Sequence, residues 1–429
     1  MRGGAGANAG PGEDPAVGLD AGPDAGLDAG LDPGVRVACI GNMNNNYFCL
    51  VRYLRDMGIQ ADLLRLNCEQ EHFHPSFDSY CEGYKAYTVD LPWGDPASFA
   101  ALSPEAIARD LAPYTHIVAC NYAPAFVHKA GRRLDAFCPH GSDYTEVPYY
   151  KDESGHGWHP LSLAQRAAIQ GAAHVFAPAH NPERERYWAE LAPRGIRHQH
   201  SVPILYMPEY APEALAARVG LAPSYGRVLT LRQSCDLLVY HHSRHVWASA
   251  QYPDDLKGND VLFKGLALFA KARPGVRVGL VCHEYGVDVE ASKRLIAELG
   301  IADLAHWMPL AGRKQVMPCA ALADVVASGF AYSWKGGGVV SEALCLGKPL
   351  LGRRDDHLDP EGAAALYPML TAATPEEVAA RLAQAADDPA GVADIGRRGR
   401  QWMSDSLIAP ALERFRAIFT GASECTASR

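Results

Sequence analysis

Twice along its length the sequence sets out the same alternation: a short apolar run closing on a small or polar residue, a helical pattern, then another apolar run. The first series opens with VRVACIG (35–41), passes through a polar NMNNN loop, and places Tyr47, Leu50, Val51, Leu54 and Met57 on one helical face, with Gly58 set to end the helix. ADLLRL (61–66) is the return strand. A β-α-β unit of this kind founds a parallel, doubly wound sheet. Further strands are predicted at THIVACN (115–121), LDAFCP (134–139), AHVFAP (173–178) and from Ile196 to Leu205.

The second series starts at DLLVYHH (236–242), runs through a helix predicted over 259–272, and returns as VRVGLVCH (276–283). A helix over 287–299 is closed by Gly300, and LAHWMP, ADVVAS and KPLLG follow as strands with helical segments between them. TPEE (374–377) offers a threonine cap, a proline in the first turn and a glutamate three residues after the cap. A chain of 429 residues is too long for one ordinary core, so the two series predict two Rossmann-like α/β domains.

Residues 1–34 are dominated by Gly, Ala, Asp and Pro and end in the tetrads LDAG, PDAG, LDAG and LDPG. Glycine in every tetrad raises the entropy lost on ordering, so this stretch is predicted to be a disordered acidic tail. The first domain is expected over 35–210, a connection over 211–235, where Leu-Ala-Pro-Ser-Tyr-Gly punctuates the chain, and the second domain over 236–400. A short tail is expected at 421–429.

Composition excludes several classes. A net charge of −9 argues against a general binder of nucleic acid or anionic lipid. The 11 cysteines are odd in number, scattered and without C-x-x-C spacing, so they read as reduced thiols. No charged-then-apolar leader opens the sequence and no window approaches the roughly 20 apolar residues of a membrane span, so a cytoplasmic protein with at most peripheral membrane association is expected. Among 17 histidines, HFH (72–74) and HHSRH (241–245) lack a further ligand set and no H-E-x-x-H occurs, so no metal is expected in catalysis. There is no P-loop, G-x-G-x-x-G or G-x-S-x-G, which removes common kinase, dehydrogenase and hydrolase readings.

The most informative segment is SWKGGGVVSEALCLGKPLL (333–351), where Gly336, Gly337 and Gly338 precede a helix beginning at Val339. Glycines let backbone approach a ligand, and the unpaired N–H groups of a helix start suit a diphosphate. Glu342, one turn further in, is placed to accept from both ribose hydroxyls. The same segment also reads as an ordinary tight strand–helix turn.

This segment resembles the donor site of the GT-B glycosyltransferases, and specifically the large retaining, nucleotide-sugar-dependent group often called family 4 or group 1. That group carries Glu, seven residues, Glu-Ala and a Gly-x-Pro turn, and here Glu342-Ala343 and Gly347-Lys348-Pro349 match the second half. Trp334 stands where the first glutamate is expected. Upstream, HHSRHVWASAQYPDDLKGND resembles the family's two diphosphate-binding cations, with Arg244 and Lys257 as the matching residues. FCPHGSDYTEVPY (137–149) resembles the strand end with a His-Gly pair at the cleft, which nominates His140.

The resemblance implies a GT-B architecture, two Rossmann-like domains facing a central cleft, with the acceptor side in the first and the nucleotide sugar in the second. It implies a helix over 401–420 that crosses back to the first domain through Trp402, Leu407 and Phe415. The implied chemistry is sugar transfer from a nucleotide diphosphate donor to a hydroxyl of a glycan, lipid-linked or small-molecule acceptor, with retention and without a cofactor. Arg244 and Lys257 then stabilise the leaving diphosphate and His140 supports the reacting centre. Base recognition is expected around HWMPLAG (306–312), including Met308 and Leu310, and Gly41 takes the place of a glycine contacting phosphate or acceptor. Asn44 and Asn45 read equally as sugar-binding amides or as helix-capping residues. Two rival readings stand beside this one: a UDP-N-acetylglucosamine 2-epimerase-like isomerase, which Gly-Gly…Glu…Leu-Gly-Lys-Pro also resembles, and a degenerate transferase that binds nucleotide or glycan without turnover.

Overall fold

The computed structural model describes residues 34–177, 182–199, 202–249, 256–333 and 336–421. The expected tails at 1–34 and 421–429 lie outside the described residues except for Gly34 and Gly421, and so does Trp334. In the first half the strands are β1 (Arg36–Ile40), β2 (Gln60–Arg65), β3 (Thr88–Asp90), β4 (His116–Ala119), β5 (Ala136–Phe137), β6 (His174–Phe176) and β7 (Ile196–His198). They form one parallel sheet in the order β3-β2-β1-β4-β5-β6-β7. In the second half β8 (Leu237–His241), β9 (Val278–His283), β10 (Ala305–Met308), β11 (Val325–Ala327), β12 (Leu350–Gly352) and β13 (Leu370–Thr371) form a parallel sheet in the order β10-β9-β8-β11-β12-β13. Both are doubly wound Rossmann-like sheets.

Burial explains the strand sequences. All five residues of β8 and all six of β9 are buried, as expected where helices cover both faces of a parallel sheet, and these strands read as near-continuous apolar runs. In the first domain Tyr47, Phe48, Leu50, Val51 and Leu54, from the helix Asn46–Asp56, pack with Val37 and Cys39 on one sheet face. Trp93, Phe126, Phe137 and Leu161 fill the other. The helix Asn259–Ala272 has the predicted bounds, and the capping box at Thr374 and Glu377 opens the helix Pro375–Asp387.

Four features differ in extent from the sequence reading. The strand expected from Ile196 to Leu205 is confined to Ile196–His198. β3 and β13 are short edge strands that the sequence pattern did not mark. The stretch 211–235, expected as a connection, contains the helices Pro212–Ala216 and Tyr225–Ser234, and Val228 of the latter is buried beside Leu238 and Tyr240. Near the end of the chain, Phe415 of the helix Ala409–Thr420 stacks on Phe176 at 4.5 Å and joins the first domain's core, while the Trp402 indole donates to the carbonyl of Ala365 at 2.7 Å in the second.

Candidate functional site

In each sheet the strand order reverses at one point, between β1 and β4 in the first and between β8 and β11 in the second. Such switch points open a crevice at the carboxyl ends of the strands, where ligands of α/β sheets gather. At the first, Gly41 follows β1 with φ 95°, and a Cβ there would lie 2.9 Å from Sγ of Cys120, which follows β4. Only glycine accommodates both the backbone and the contact. Asn44 and Asn45 also take left-handed φ of 52° and 62°, tolerable for asparagine. The Asn45 amide accepts from the Asn42 side chain at 2.9 Å within the loop and donates to the His72 carbonyl outside it at 3.3 Å, and neither Asn44 nor Asn45 caps a helix through its side chain. Asn44 is exposed, and its backbone carbonyl accepts from Arg313 at 3.4 Å.

His140 follows β5. Its Nδ1 lies 3.2 Å from the Asn46 amide and its ring meets Tyr47 edge-on at 5.6 Å, while Nε2 has no protein partner although it is shielded. Burial lowers the imidazole pKa to about 4, so the ring is neutral at physiological pH. The turn is held by Asp143, whose carboxylate accepts from the backbone N–H of His140, Gly141 and Asn121, tying the end of β5 to the end of β4. Burial pushes this carboxyl up to about 6 against those bonds.

The loop after β8 carries Arg244. Two residues anchor this loop. Asp288 accepts through one oxygen from the N–H groups of Trp247, Ala248 and Ser249 at 2.7 to 3.1 Å. Asn259 accepts from the N–H of Val246 and donates to the Arg244 carbonyl, with its amide also 2.8 Å from Nε2 of His241. The Lys257 backbone donates to the carbonyl of Val246 and accepts from the N–H of Phe330 at 2.6 Å, just beyond β11. Gly258 turns there with φ 66°, and a Cβ would sit 2.7 Å from the amide nitrogen of Ala331. Among the described residues, the second switch point is therefore built from residues 244–249, Lys257 with Gly258, and the end of β11.

Gly336, Gly337 and Gly338 are exposed, and open space surrounds a Cβ at the first two. Gly337 has φ 126° and precedes the helix Gly338–Cys345, on which Val339 is half-buried. Met308 ends β10 and is buried, whereas Leu310 beyond it is 65% exposed. Glu342 is buried and already engaged: Oε2 accepts from Nε2 of His242 at 2.7 Å and Oε1 from Nε of Arg313 at 2.9 Å. Burial alone would raise its pKa, but those two groups outweigh it and hold the carboxylate at about 2.

Sequence reasoning missed Arg313, His242 and Asp78. Arg313 reaches across the domains, donating at 3.1 Å to Asp78 and at 3.4 Å to the carbonyl of Asn44. Because Asn44 is two residues from Asn46, this chain of bonds links the His140 side of the crevice to Glu342.

No family model and no curated protein matches the chain. Solved structures do. It is similar to Alr3699/HepE from Anabaena in complex with UDP-glucose, at 15% identity and a TM-score of 0.59 over 90% of this chain and 99% of that one. It is similar to sucrose-phosphate synthase from Thermosynechococcus elongatus, at 15% identity and a TM-score of 0.55 over 90% of this chain and 100% of that one. The fold is GT-B. UDP-GlcNAc 2-epimerase from Neisseria meningitidis, bound to UDP-GlcNAc, shares this GT-B likeness at 12% identity and a TM-score of 0.54, covering 90% of this chain and 99% of that one. No helix among the described residues is long and apolar enough to cross a membrane.

Proposed function

We propose that this chain transfers a sugar from a nucleotide diphosphate donor to an acceptor hydroxyl, with retention of configuration and without a metal. The observation that carries the reading is the pairing of two switch-point crevices: a glycine-headed helix bearing Glu342 on one side, and His140 with an unpartnered Nε2 on the other. Solved relatives of the same fold hold UDP and UDP-glucose, which supports a nucleotide sugar as the ligand class.

In this reading the backbone of Gly336 to Val339 takes the diphosphate at the helix start, Glu342 takes the ribose, and the chain around Met308 and Leu310 borders the base. Lys257 and Arg244 neutralise the charge that develops on the departing diphosphate, a contribution largest in the transition state. A neutral His140 offers Nε2 to a sugar hydroxyl or to the reacting centre, with Gly41 and Asn44 lining the acceptor side. The acceptor is a glycan, a lipid-linked glycan or a small molecule.

An epimerase is the second reading, favoured by the similarity to two UDP-GlcNAc 2-epimerase structures, with TM-scores of 0.54 and 0.52. A thermal-shift screen of nucleotide sugars identifies the donor, because a ligand that binds only the native state must stabilise it. Product analysis with and without an acceptor pool then decides. Conversion of the donor sugar without acceptor sinks the transferase, and binding without turnover under any condition sinks both enzymatic readings.

A further inference from the structure

Between the two domains lies a buried, charge-balanced chain of side chains. Arg52 donates to Asp78 at 2.7 Å and to Glu209 at 3.0 Å, and Arg218 donates to Glu209 at 2.8 Å. Asp78 is fully buried, and it also accepts from the Tyr210 hydroxyl at 2.7 Å. Arg313 bridges Asp78 to Glu342, and His242 closes the chain on the far oxygen of Glu342. Arg52, Arg218 and Arg313 thus balance Asp78, Glu209 and Glu342. Arg52 is held rigid between the Phe48 ring at 4.1 Å and the Tyr206 ring at 4.4 Å.

The geometry around Arg313 fixes its direction. It is the first residue of the helix Arg313–Ala320, and the preceding Gly312 approaches the first domain so closely that a Cβ would lie 3.2 Å from the Phe77 ring. The Tyr80 hydroxyl donates to the Lys314 carbonyl across the same seam. A guanidinium is planar, so one donor aimed at Asp78 sets where the others point. A carboxylate offers about four lone-pair directions. His242 and Arg313 occupy one on each oxygen of Glu342, leaving one on each for a vicinal diol.

We infer that Asp78, a residue of the first domain, positions the ribose-binding carboxylate of the second through Arg313, so that the nucleotide site is completed only when the domains are juxtaposed. This rests on the ribose role proposed above for Glu342. Asp78 and Arg313 are positioning residues, and neither touches the nucleotide.

The test is a double-mutant cycle read by calorimetric titration with UDP, GDP and ADP, together with thermal unfolding. Asp78→Asn removes the steering charge while keeping the shape, and Arg313→Gln removes the steered group. Each single variant is expected to weaken whichever nucleotide the wild type binds by about tenfold. The double variant should lose no more than either single one, because the two act in series. Its melting temperature should exceed that of Asp78→Asn, in which three buried arginines face two carboxylates, because losing Arg313 as well restores the balance of charge. Arg313→Lys, which keeps the charge without the fork, serves if the glutamine variant does not fold, with an intermediate loss expected. Asp78→Asn binding within about twofold of wild type overturns the inference and leaves the role of Glu342 standing. Affinity that merely follows melting temperature, recovering in the double variant, also overturns it. A wild type that binds none of the three nucleotides removes the ribose role and the inference together.

Discussion

The amide of Asn46 meets Nδ1 of His140 at 3.2 Å, which leaves Nε2 as the ring nitrogen of His140 available to a ligand. His140→Ala should therefore lower turnover by about 10²-fold, the scale of a positioned acid, base or donor. Asn46→Ala should cost less, about tenfold, because it frees the ring without removing it. Steady-state transfer rates with the donor found by screening check both. A His140→Ala rate within about twofold of wild type removes the residue from the mechanism.

The buried histidines make stability depend on pH in a defined direction. Burial lowers the pKa of His140, His245 and His283 to about 4 and of His241 to about 3. Between those values and the ordinary 6.5 the unfolded chain binds protons that the folded one does not, so their contribution is present above pH 6.5 and lost as pH falls toward 4. Two buried carboxyls oppose them: Glu69, raised to about 7, and Asp143, raised to about 6, favour the folded state at low pH and lose that contribution as pH rises. Four groups outweigh two. Melting temperature should rise from pH 4.5 to 6.5, and a flat or falling profile by calorimetry contradicts the assignment.

Glu342→Ala should destabilise the protein as well as weaken nucleotide binding. It leaves Arg313 buried beside one carboxylate instead of two, and breaking a buried pair in this way costs about 3 to 5 kcal/mol. Glu342→Gln retains an acceptor and should cost less than half of that. Urea unfolding of both variants decides, and equal stability of Glu342→Ala and wild type would mean that the pair contributes nothing.

The sequence carried the two sheets but not this pairing, and the reason is physical. β1, β2, β8 and β9 are long, buried runs whose periodicity is local, and the helix Asn259–Ala272 lies between a left-handed glycine and a basic last turn. β3 and β13 are two or three residues long at sheet edges, with too few buried positions to stand out. The glycine run before Glu342 was legible because a helix start leaves a local mark. Asp78 and Arg313 are 235 positions apart, and no pattern in either neighbourhood announces a partner at that range.

Lys257→Ala should reduce turnover by about 10²-fold, since losing one electrostatic contact to a developing charge costs roughly 3 kcal/mol. The fold of the loop should persist, because its backbone is fastened at Lys257 to Phe330 and Val246. Rates within about twofold of wild type exclude the role.

Gly258→Ala should damage the same loop by another route. The left-handed φ of 66° and the 2.7 Å approach to the Ala331 amide leave no room for a Cβ, so the variant should lose about 2 kcal/mol of stability and shift Lys257. Chemical denaturation measures the first effect and turnover the second, and a variant matching wild type in both removes the close approach as a constraint.

The stacking of Phe415 on Phe176 also sets an order of events during synthesis. The first domain's last strand ends at His198, yet one wall of its core arrives only with Phe415 and Phe419, after the whole second sheet has been made. At about 5 to 20 residues per second, the intervening stretch of roughly 220 residues takes on the order of 10 to 40 s to translate. For that interval the face formed by Val37, Tyr47 and Phe176 stands open on the ribosome, the form of the nascent chain that chaperones meet.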